Sequence, residues 1–387
     1  MRYNKSVCHH RTPCCFILPP SILDEIIKTG TDEQKTRALR TLRISERLRG
    51  QRKTLSRMHR TLFASGSLQK HRMIYDMHHS ENEELLPGTK IRDEATDTAT
   101  TSHKGTSGGE EEVDNAFENT GHTYDFYSEV FNRNSVDDAG AILISSINFG
   151  EDFDNAFWNG RQMAFGNGGG GIFKEGSLTA SLDVIAHELT HGVTSYTADL
   201  AYMGESGGLN EAFSDIFGIM CTQWTKKQTV SDSKWLIGEG IMEIEGSGLR
   251  DMKGEQKANP YDKSIFSYKD YKKGLDVHWT SGIANKAFYL TAKKIGRYSW
   301  EKAGKIWFIV LTQGWLSRFG PTIDGRAGRS FQEAADATFT VAGELFGEGS
   351  DEQKATEEGW KGVDIIPKEM KKPMIQGVAP FEQLAVL

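Results

Sequence analysis

The stretch Val184–Val193, V-I-A-H-E-L-T-H-G-V, holds two of the chain's 11 histidines four residues apart, with a glutamate after the first. Residues four apart on a helix share a face one turn apart, so both imidazoles can aim at one point. A catalytic zinc commonly takes three protein ligands and keeps one position for water. His187 and His191 offer two ligands from one rigid element. Glu188 points beside them, suited to take a proton from metal-bound water rather than to bind the metal. The apolar face Leu182, Ile185, Ala186, Leu189 and Val193 would bury this helix while the histidines face a cleft. The competing reading is a satisfied histidine pair on a core helix, and a third ligand decides between them.

E-S-G-G-L-N-E-A-F-S-D-I-F-G (205–218) offers that ligand. Gly207-Gly208 reads as a turn, with a helix beginning near Leu209. An antiparallel return would bring Glu211 over the histidines. Asp215, one turn further, is placed to accept the second N–H of a ligand histidine and fix its tautomer, with Asn210 expected in the same supporting shell.

Outward from this centre, 21–30 reads as a short capped helix ending in Gly30. Thr31 or Asp32 opens a second helix that Gly50 stops near Arg49. Residues 51–73 look like an exposed basic linker, and 75–121 like loops and short strands. A-I-L-I-S-S-I-N-F (141–149) and R-Q-M-A-F (161–165) are strand candidates. Beyond the glycine run Gly166–Gly171 the pattern turns helical, at 181–196, 208–220, 282–294, 300–316, 329–344 and 351–361. A β-rich half thus precedes a helical half, with the histidine helix at the join. There is no internal repeat.

The chain has 387 residues, enough for a large core, with 37% hydrophobic and 26% charged residues, ordinary values for a soluble globular protein. Its net charge of −7 conceals an asymmetry. Residues 1–73 carry 16 Lys/Arg against 5 Asp/Glu, and the remainder 30 against 48. A basic arm can bind nucleic acid, but no such motif accompanies it; docking on the acidic remainder of the same chain fits better. Cys8, Cys14, Cys15 and Cys221 form no disulfide framework. C-C-F-I-L, stopped by Pro19-Pro20, is too short for a signal sequence, and no stretch is long enough to span a bilayer. A cytoplasmic setting is expected, with signal-independent release left open.

D-V-I-A-H-E-L-T-H-G-V-T-S-Y-T-A-D-L-A-Y and E-S-G-G-L-N-E-A-F-S-D-I-F-G closely resemble the signatures of the thermolysin family of zinc endopeptidases. D-N-A-F-W-N-G (154–160), G-L-R-D-M (248–252), V-H-W-T-S-G-I-A-N-K-A-F-Y-L (277–290), D-A-T-F-T-V-A-G-E-L-F-G (336–347) and W-K-G-V (360–363) match as well. The resemblance spans roughly residues 72–364. C-F-I-L-P-P-S-I-L-D-E-I-I (15–27) and R-M-I-Y-D-M-H-H (72–79) look like the protealysin branch, with its short propeptide and Pro-Pro motif. The fold implied is α+β: a β-rich lobe (74–200) and a helical lobe (201–363) joined by the central H-E-x-x-H helix. A basic propeptide (1–60, with a linker to about 73) precedes them, and an extension (364–387) follows as a surface strand or partner contact.

The resemblance assigns one zinc ion to His187, His191 and Glu211, and the general base to Glu188. Tyr202 and His278 match the oxyanion donors, and Arg250 matches the arginine that grips a substrate carbonyl. Asn155 and the backbone of Ala156 match groups holding the substrate main chain. Val184 and Leu249 match the walls of the pocket after the scissile bond, implying cleavage before bulky apolar residues. Two departures stand out. The family's D-N-G-G-V-H is K-G-L-D-V-H here (273–278), so Lys273 replaces the acid that orients the imidazole, with Asp276 as the candidate substitute. The acidic G-D-G-D-G turn is G-N-G-G-G. Calcium is not expected, because Thr222, Lys234 and Leu236 stand where acids would accompany Asp183 and Glu239, and the ion needs roughly six to eight oxygens.

The leading expectation is a monomeric zinc endopeptidase made as a zymogen. It would act on protein or peptide substrates, with its propeptide as intramolecular inhibitor and without nucleic acid or membrane partners. A Cys15 thiolate could fill the open zinc position of the precursor; otherwise Cys8, Cys14 and Cys15 are incidental thiols. The alternative is a silent relative serving as a binding module, and the altered loop before His278 is its main support.

Overall fold

The structure, a computed structural model, describes residues 14–55, 69–95, 109–316, 322–323 and 326–371. Cys8, most of the expected linker and the end of the C-terminal extension lie outside these residues. The chain opens with strand β1 (Cys15–Phe16), then helices α1 (Pro20–Thr29) and α2 (Asp32–Leu55). Pro20 supplies a pre-set φ at the start of α1 and Gly30 follows its end. Thr31 and Gln34 cap α2 reciprocally: Thr31 Oγ1 accepts from the Gln34 amide (3.3 Å), and Gln34 Oε1 accepts from the Thr31 amide (2.9 Å). Gly50 does not end α2, contrary to the sequence reading. One interior glycine costs only about 1 kcal/mol against alanine, too little to break a helix of this length.

Next come β2 (Arg72–Asp76), β3 (Thr89–Asp93) and the long helix α3 (Gly109–Phe131). The composition of 75–121 implies loops and short strands, yet residues from Gly109 onward form helix α3. Val113, Ala116, Phe117, Thr120 and Tyr124 recur at helical spacing on its buried side, beneath an acidic first turn that suits a helix N-terminus. The polar composition had hidden the period.

β4 (Leu143–Ile147), β5 (Ala156–Trp158) and β6 (Met163–Phe165) complete a six-stranded mixed sheet in the order β1-β5-β6-β4-β2-β3. β4 runs parallel to both β2 and β6, while β1 is antiparallel to β5, pairing Cys15 with Trp158 and Phe16 with Phe157. The N-terminal segment therefore supplies an edge strand to the sheet.

The helical half follows the short helix α4 (Ser177–Ala180): α5 (Leu182–Tyr196), α6 (Gly204–Thr225), α7 (Val277–Ile295), α8 (Ala303–Thr312), α9 (Phe331–Phe346) and α10 (Asp351–Lys361). Two small hairpins, β7 (Leu236–Ile237) with β8 (Arg250–Asp251) and β9 (Thr322–Ile323) with β10 (Arg326–Ala327), lie between helices. Gly207 and Gly208 are inside α6 rather than a turn before it. A Cβ on Gly207 would sit 2.4 Å from Val277 Cγ1, and one on Gly208 2.5 Å from Thr280 Oγ1. Their role is to let α7 approach α6 closely. Stacked rings of Phe131 and Phe308 (4.3 Å between centroids), with Phe217 edge-on, tie α3, α8 and α6 into one core beneath the site.

Candidate active site and metal centre

α5 presents His187 and His191 on one face, and α6 returns against it to bring Glu211 and Asp215 alongside. His187 Nε2 lies 3.0 Å from His191 Nε2, 3.3 Å from Glu211 Oε2 and 2.9 Å, through Nδ1, from Asp215 Oδ1. His191 Nε2 is 3.5 Å from Glu211 Oε1, and His191 Nδ1 is 2.8 Å from Asn210 Oδ1. All five side chains are buried.

The outer contacts fix the tautomers. Asp215 and Asn210 present acceptors to the two Nδ1 atoms, so each Nδ1 carries the hydrogen and each Nε2 turns a lone pair inward. Two lone pairs and a carboxylate converge on one point, with no proton between them. Among the described residues, these three are the group of histidine, cysteine or acidic side chains able to share an ion, their ligand atoms lying within 4.8 Å of one another. Ligands about 2.0–2.1 Å from a tetrahedral zinc stand roughly 3.3 Å apart, so the set fits that ion with small adjustment. Without a cation the charges are strained. Burial works against a charged His187, yet Asp215 and Glu211 push it up to about 9, while burial holds His191 down to about 3. Burial also opposes the Glu211 charge, but His278, His191 and His187 hold its carboxyl well below the usual range.

Glu188, one position after His187, is fully buried, and neither carboxylate oxygen has a partner in hydrogen-bond geometry, although the Trp158 amide favours its charged form. Burial pushes it up to about 8, with Glu211 adding to the shift and His187 opposing it. A buried carboxylate this short of donors is poised for a group the protein itself does not supply.

Opposite lie Tyr202 and His278. The Tyr202 hydroxyl donates to Glu211 Oε1 and stands 3.4 Å from His278 Nε2. Asp276, at the N-cap of α7, accepts from the His278 amide (2.9 Å) and faces its Nδ1 at 2.7 Å. Lys273 is exposed, so the acid beside the imidazole comes from two residues upstream. Burial disfavours charge on His278, but Glu211 and Asp276 outweigh it and raise its pKa.

Arg250, buried in β8, donates through Nε and Nη2 to the two oxygens of Asp215 (2.8 and 2.7 Å), which also takes a bond from Asn285 Nδ2 at 2.8 Å. Asp215 thus joins the histidine ligand to the arginine. Asn285 is absent from the residues the sequence singles out, and its place two turns after His278 on one face of α7 is the signal that marks it.

The N-terminal segment lies in this cleft. Phe16 O accepts from His278 Nε2 at 2.7 Å, Ile17 N donates to Ala156 O at 3.1 Å and Ile17 O accepts from Arg250 Nη1 at 2.8 Å. Leu18 N donates to Asn155 Oδ1 at 3.0 Å and Leu18 O accepts from Asn155 Nδ2 at 3.4 Å. Val184 and Leu249 share one buried cluster with Ile17 and Leu18. Cys15 is buried, and the group able to share an ion consists of His187, His191 and Glu211 without its thiol. The strand geometry explains this: the main-chain carbonyls of residues 16 and 17 reach the site's donors, while Cys15 pairs along Trp158 on β5.

Helix α2 clamps the segment from outside. Arg37 pairs with Asp152 and with buried Asp154 (Nη2–Oδ1, 2.7 Å), and donates to Gly168 O at 2.9 Å. Burial raises Asp154 to about 6 against the pull of Arg37. A Cβ on Gly170 would lie 2.0 Å from Arg37 Cδ, so the glycine run makes room for this arginine. Where relatives would hold calcium by the resemblance, Lys234 pairs with Glu239, and Asp183 accepts from the Gly238 amide at 2.7 Å.

Comparison with known proteins matches residues 29–195 to the thermolysin metallopeptidase catalytic domain and residues 198–365 to the thermolysin metallopeptidase alpha-helical domain. Protease PrtS of Photorhabdus sp. (strain Az29) is 40% identical over 371 residues, covering 92% of this chain and 93% of that protein. An extracellular metalloprotease of Pectobacterium carotovorum subsp. carotovorum is 40% identical over 312 residues, 77% of this chain and 84% of its own length. The solved precursor of protealysin, a metalloproteinase from Serratia proteamaculans, superposes with a TM-score of 0.74 at 35% identity, covering 91% of this chain and 99% of that one. With both halves of the family matched, and relatives similar along nearly its whole length, this chain belongs to the thermolysin family of zinc metalloendopeptidases and is protealysin-like.

Proposed function

We propose that this endopeptidase is made in a latent form, with residues 14–55 as its intramolecular inhibitor. Once freed, it cuts on the N-terminal side of bulky hydrophobic residues, with Glu188 as general base. The observation that carries the reading is the run of main-chain bonds from residues 16–18 to His278, Ala156, Arg250 and Asn155. The groups assigned to hold a substrate are engaged by the chain's own N-terminal strand, which excludes any other peptide.

His187, His191 and Glu211 would hold the zinc, which when bound acts as a Lewis acid and lowers the pKa of its water. A cation there also relieves the desolvation that raises Glu188, returning it toward a base that works near neutrality. Glu188 takes the proton of the attacking water and passes it to the departing nitrogen. His278 carries hydrogens on both nitrogens, because both face oxygen acceptors, and with Tyr202 it donates to the oxygen on which charge develops. Asp276 keeps that imidazole charged and turned toward the site. Arg250, pinned by Asp215, holds the carbonyl after the scissile bond, and Asn155 and Ala156 set the register. Val184 and Leu249 give the following pocket its apolar lining. With Thr222, Lys234 and Leu236 where acids would be, activity is expected without added calcium.

The test is a peptide panel cut by purified, processed protein and its Glu188→Ala variant, with zinc measured in both. Cuts before Leu, Ile or Phe that vanish in the variant while zinc stays support the proposal. Zinc in both proteins and cutting by neither, after the N-terminal segment is removed, would transfer the reading to a silent binding module.

A further inference from the structure

We propose that the Phe16–Ile17 peptide bond is the chain's own first substrate, cut in cis while the N-terminal segment stays docked. The inference rests on the endopeptidase reading above and adds a site of self-processing to it.

Register is the main argument. Five main-chain hydrogen bonds link residues 16–18 to the groups assigned to substrate, with no residue skipped. The carbonyl meeting the oxyanion donor His278 belongs to Phe16, and the next carbonyl, of Ile17, meets Arg250. The bond between them occupies the place where the enzyme would break a bound peptide. Direction agrees, since β1 runs antiparallel to β5 as an added strand. Side chains agree too: Ile17, the residue after the bond, is fully buried, and it is the bulky apolar type the pocket accepts. Leu18 precedes a proline, which keeps its backbone extended rather than letting it curl out of the cleft.

The step balances with water alone. Water adds its hydroxyl to the Phe16 carbonyl carbon, the C–N bond breaks, and the second hydrogen goes to the Ile17 nitrogen. The products are a carboxylic acid at Phe16 and an amine at Ile17, which at neutral pH become a carboxylate and an ammonium.

Cutting here leaves the enzyme masked. Residues 17–55 remain fixed by the buried side chains Ile22, Leu23, Ile26 and Leu48, and by Arg37 on Asp154. On the other side, Phe16 sits in a separate apolar cluster against Phe157, 5.4 Å between ring centroids. Ile17 and Leu18 therefore keep their places after the cut. Removal of α1 and α2 needs a second cleavage, so the nicked chain is a latent intermediate.

The experiment follows the full-length, zinc-loaded chain by intact mass under denaturing conditions, at two concentrations 100-fold apart. A peptide panel is run on the same samples, before and after the N-terminal segment is removed by an added protease. The expected result is a fragment pair ending at Phe16 and beginning at Ile17, formed at the same first-order rate at both concentrations. It is absent in Glu188→Ala, slowed at least tenfold in Ile17→Asp and kept in Ile17→Leu, and the nicked chain does not yet cut the panel. A chain that cleaves the panel once freed, yet never opens the 16–17 bond, overturns this inference and leaves the endopeptidase standing. A cut whose rate rises with concentration overturns the cis assignment. A chain that cuts neither itself nor the panel after the segment is removed overturns the endopeptidase reading.

Discussion

Replacing Asp276 with serine separates two tasks of one carboxylate. Asp276 Oδ1 caps α7 through the His278 amide at 2.9 Å and faces the imidazole Nδ1 at 2.7 Å. Serine retains the capping bond but is too short and uncharged to hold the ring. Losing a whole oxyanion donor costs roughly 10²–10³ in kcat, which bounds the effect from above. His278 itself survives in this variant and loses only its charged partner. A hydrogen bond to a charged group contributes roughly 1.5–3 kcal/mol, and about 1.4 kcal/mol is a tenfold change in rate. The expected loss in kcat is therefore roughly 10- to 100-fold, with KM little changed, because the donor works in the transition state. Asp276→Asn, which keeps a neutral acceptor in place, should fall between serine and the parent. Asp276→Ala should add about 1 kcal/mol of lost stability from the missing cap. The assay is steady-state cleavage of a fluorogenic peptide by processed enzyme, with thermal unfolding in parallel. A serine variant within twofold of the parent in kcat, at unchanged Tm, would refute the reasoning and leave His278 oriented by packing alone.

Three further perturbations test other parts of the structure. Arg37→Ala strands the fully buried Asp154 carboxylate, and breaking a buried pair costs about 3–5 kcal/mol. The unprocessed variant should cut peptides and expose 14–55 to limited proteolysis, whereas Asp152→Asn, at a 44% exposed partner, should change little; equal latency of both would remove Arg37 as the clamp. Burial, reinforced by Glu175, raises Glu112 to about 7 against the bond from Asn167. Because its folded pKa exceeds the unfolded one, the stability it contributes is complete below about pH 4.5 and is lost as pH rises through about 7, up to about 3 kcal/mol. Urea midpoints of the parent should fall between pH 5 and 8 while those of Glu112→Gln stay flatter, and parallel curves would refute the assignment. Chelation should abolish activity and lower Tm, with zinc restoring both; free zinc at 1,000 times its Kd stabilises by about 4 kcal/mol. A Tm indifferent to chelator would mean that the three ligands hold no ion in the folded protein.

Much of the site could be read from spacing. His187 and His191 had to share a face once the segment was helical, and the helical return of 205–218 had to bring Glu211 and Asp215 back in the same register. The family resemblance supplied Tyr202, His278, Arg250 and Asn155. What spacing misjudged was local and depended on neighbours distant in sequence. Gly207 and Gly208 looked like a turn, because nothing in 205–218 reveals that α7 presses Val277 and Thr280 against them. The period of α3 was diluted by its acidic surface and became visible only against the buried side it packs. Lys273 in place of an acid raised doubt about His278 that a single helix cap, Asp276, answers in three dimensions.

The sequence by itself determined that two imidazoles share one helical face with a glutamate beside them, that a second acidic helix follows, and that a basic arm precedes an acidic body. Those properties belong to helical period and composition, which are local. Only the tertiary structure decided what lies in the cleft. Cys15 pairs with Trp158 along β5, and the carbonyls of Phe16 and Ile17 meet His278 and Arg250. Every residue carries a carbonyl, so no sequence pattern marks the two that matter. Strand register marks them, and register is set by a partner strand about 140 residues away, where side-chain period two decides which face each group turns to.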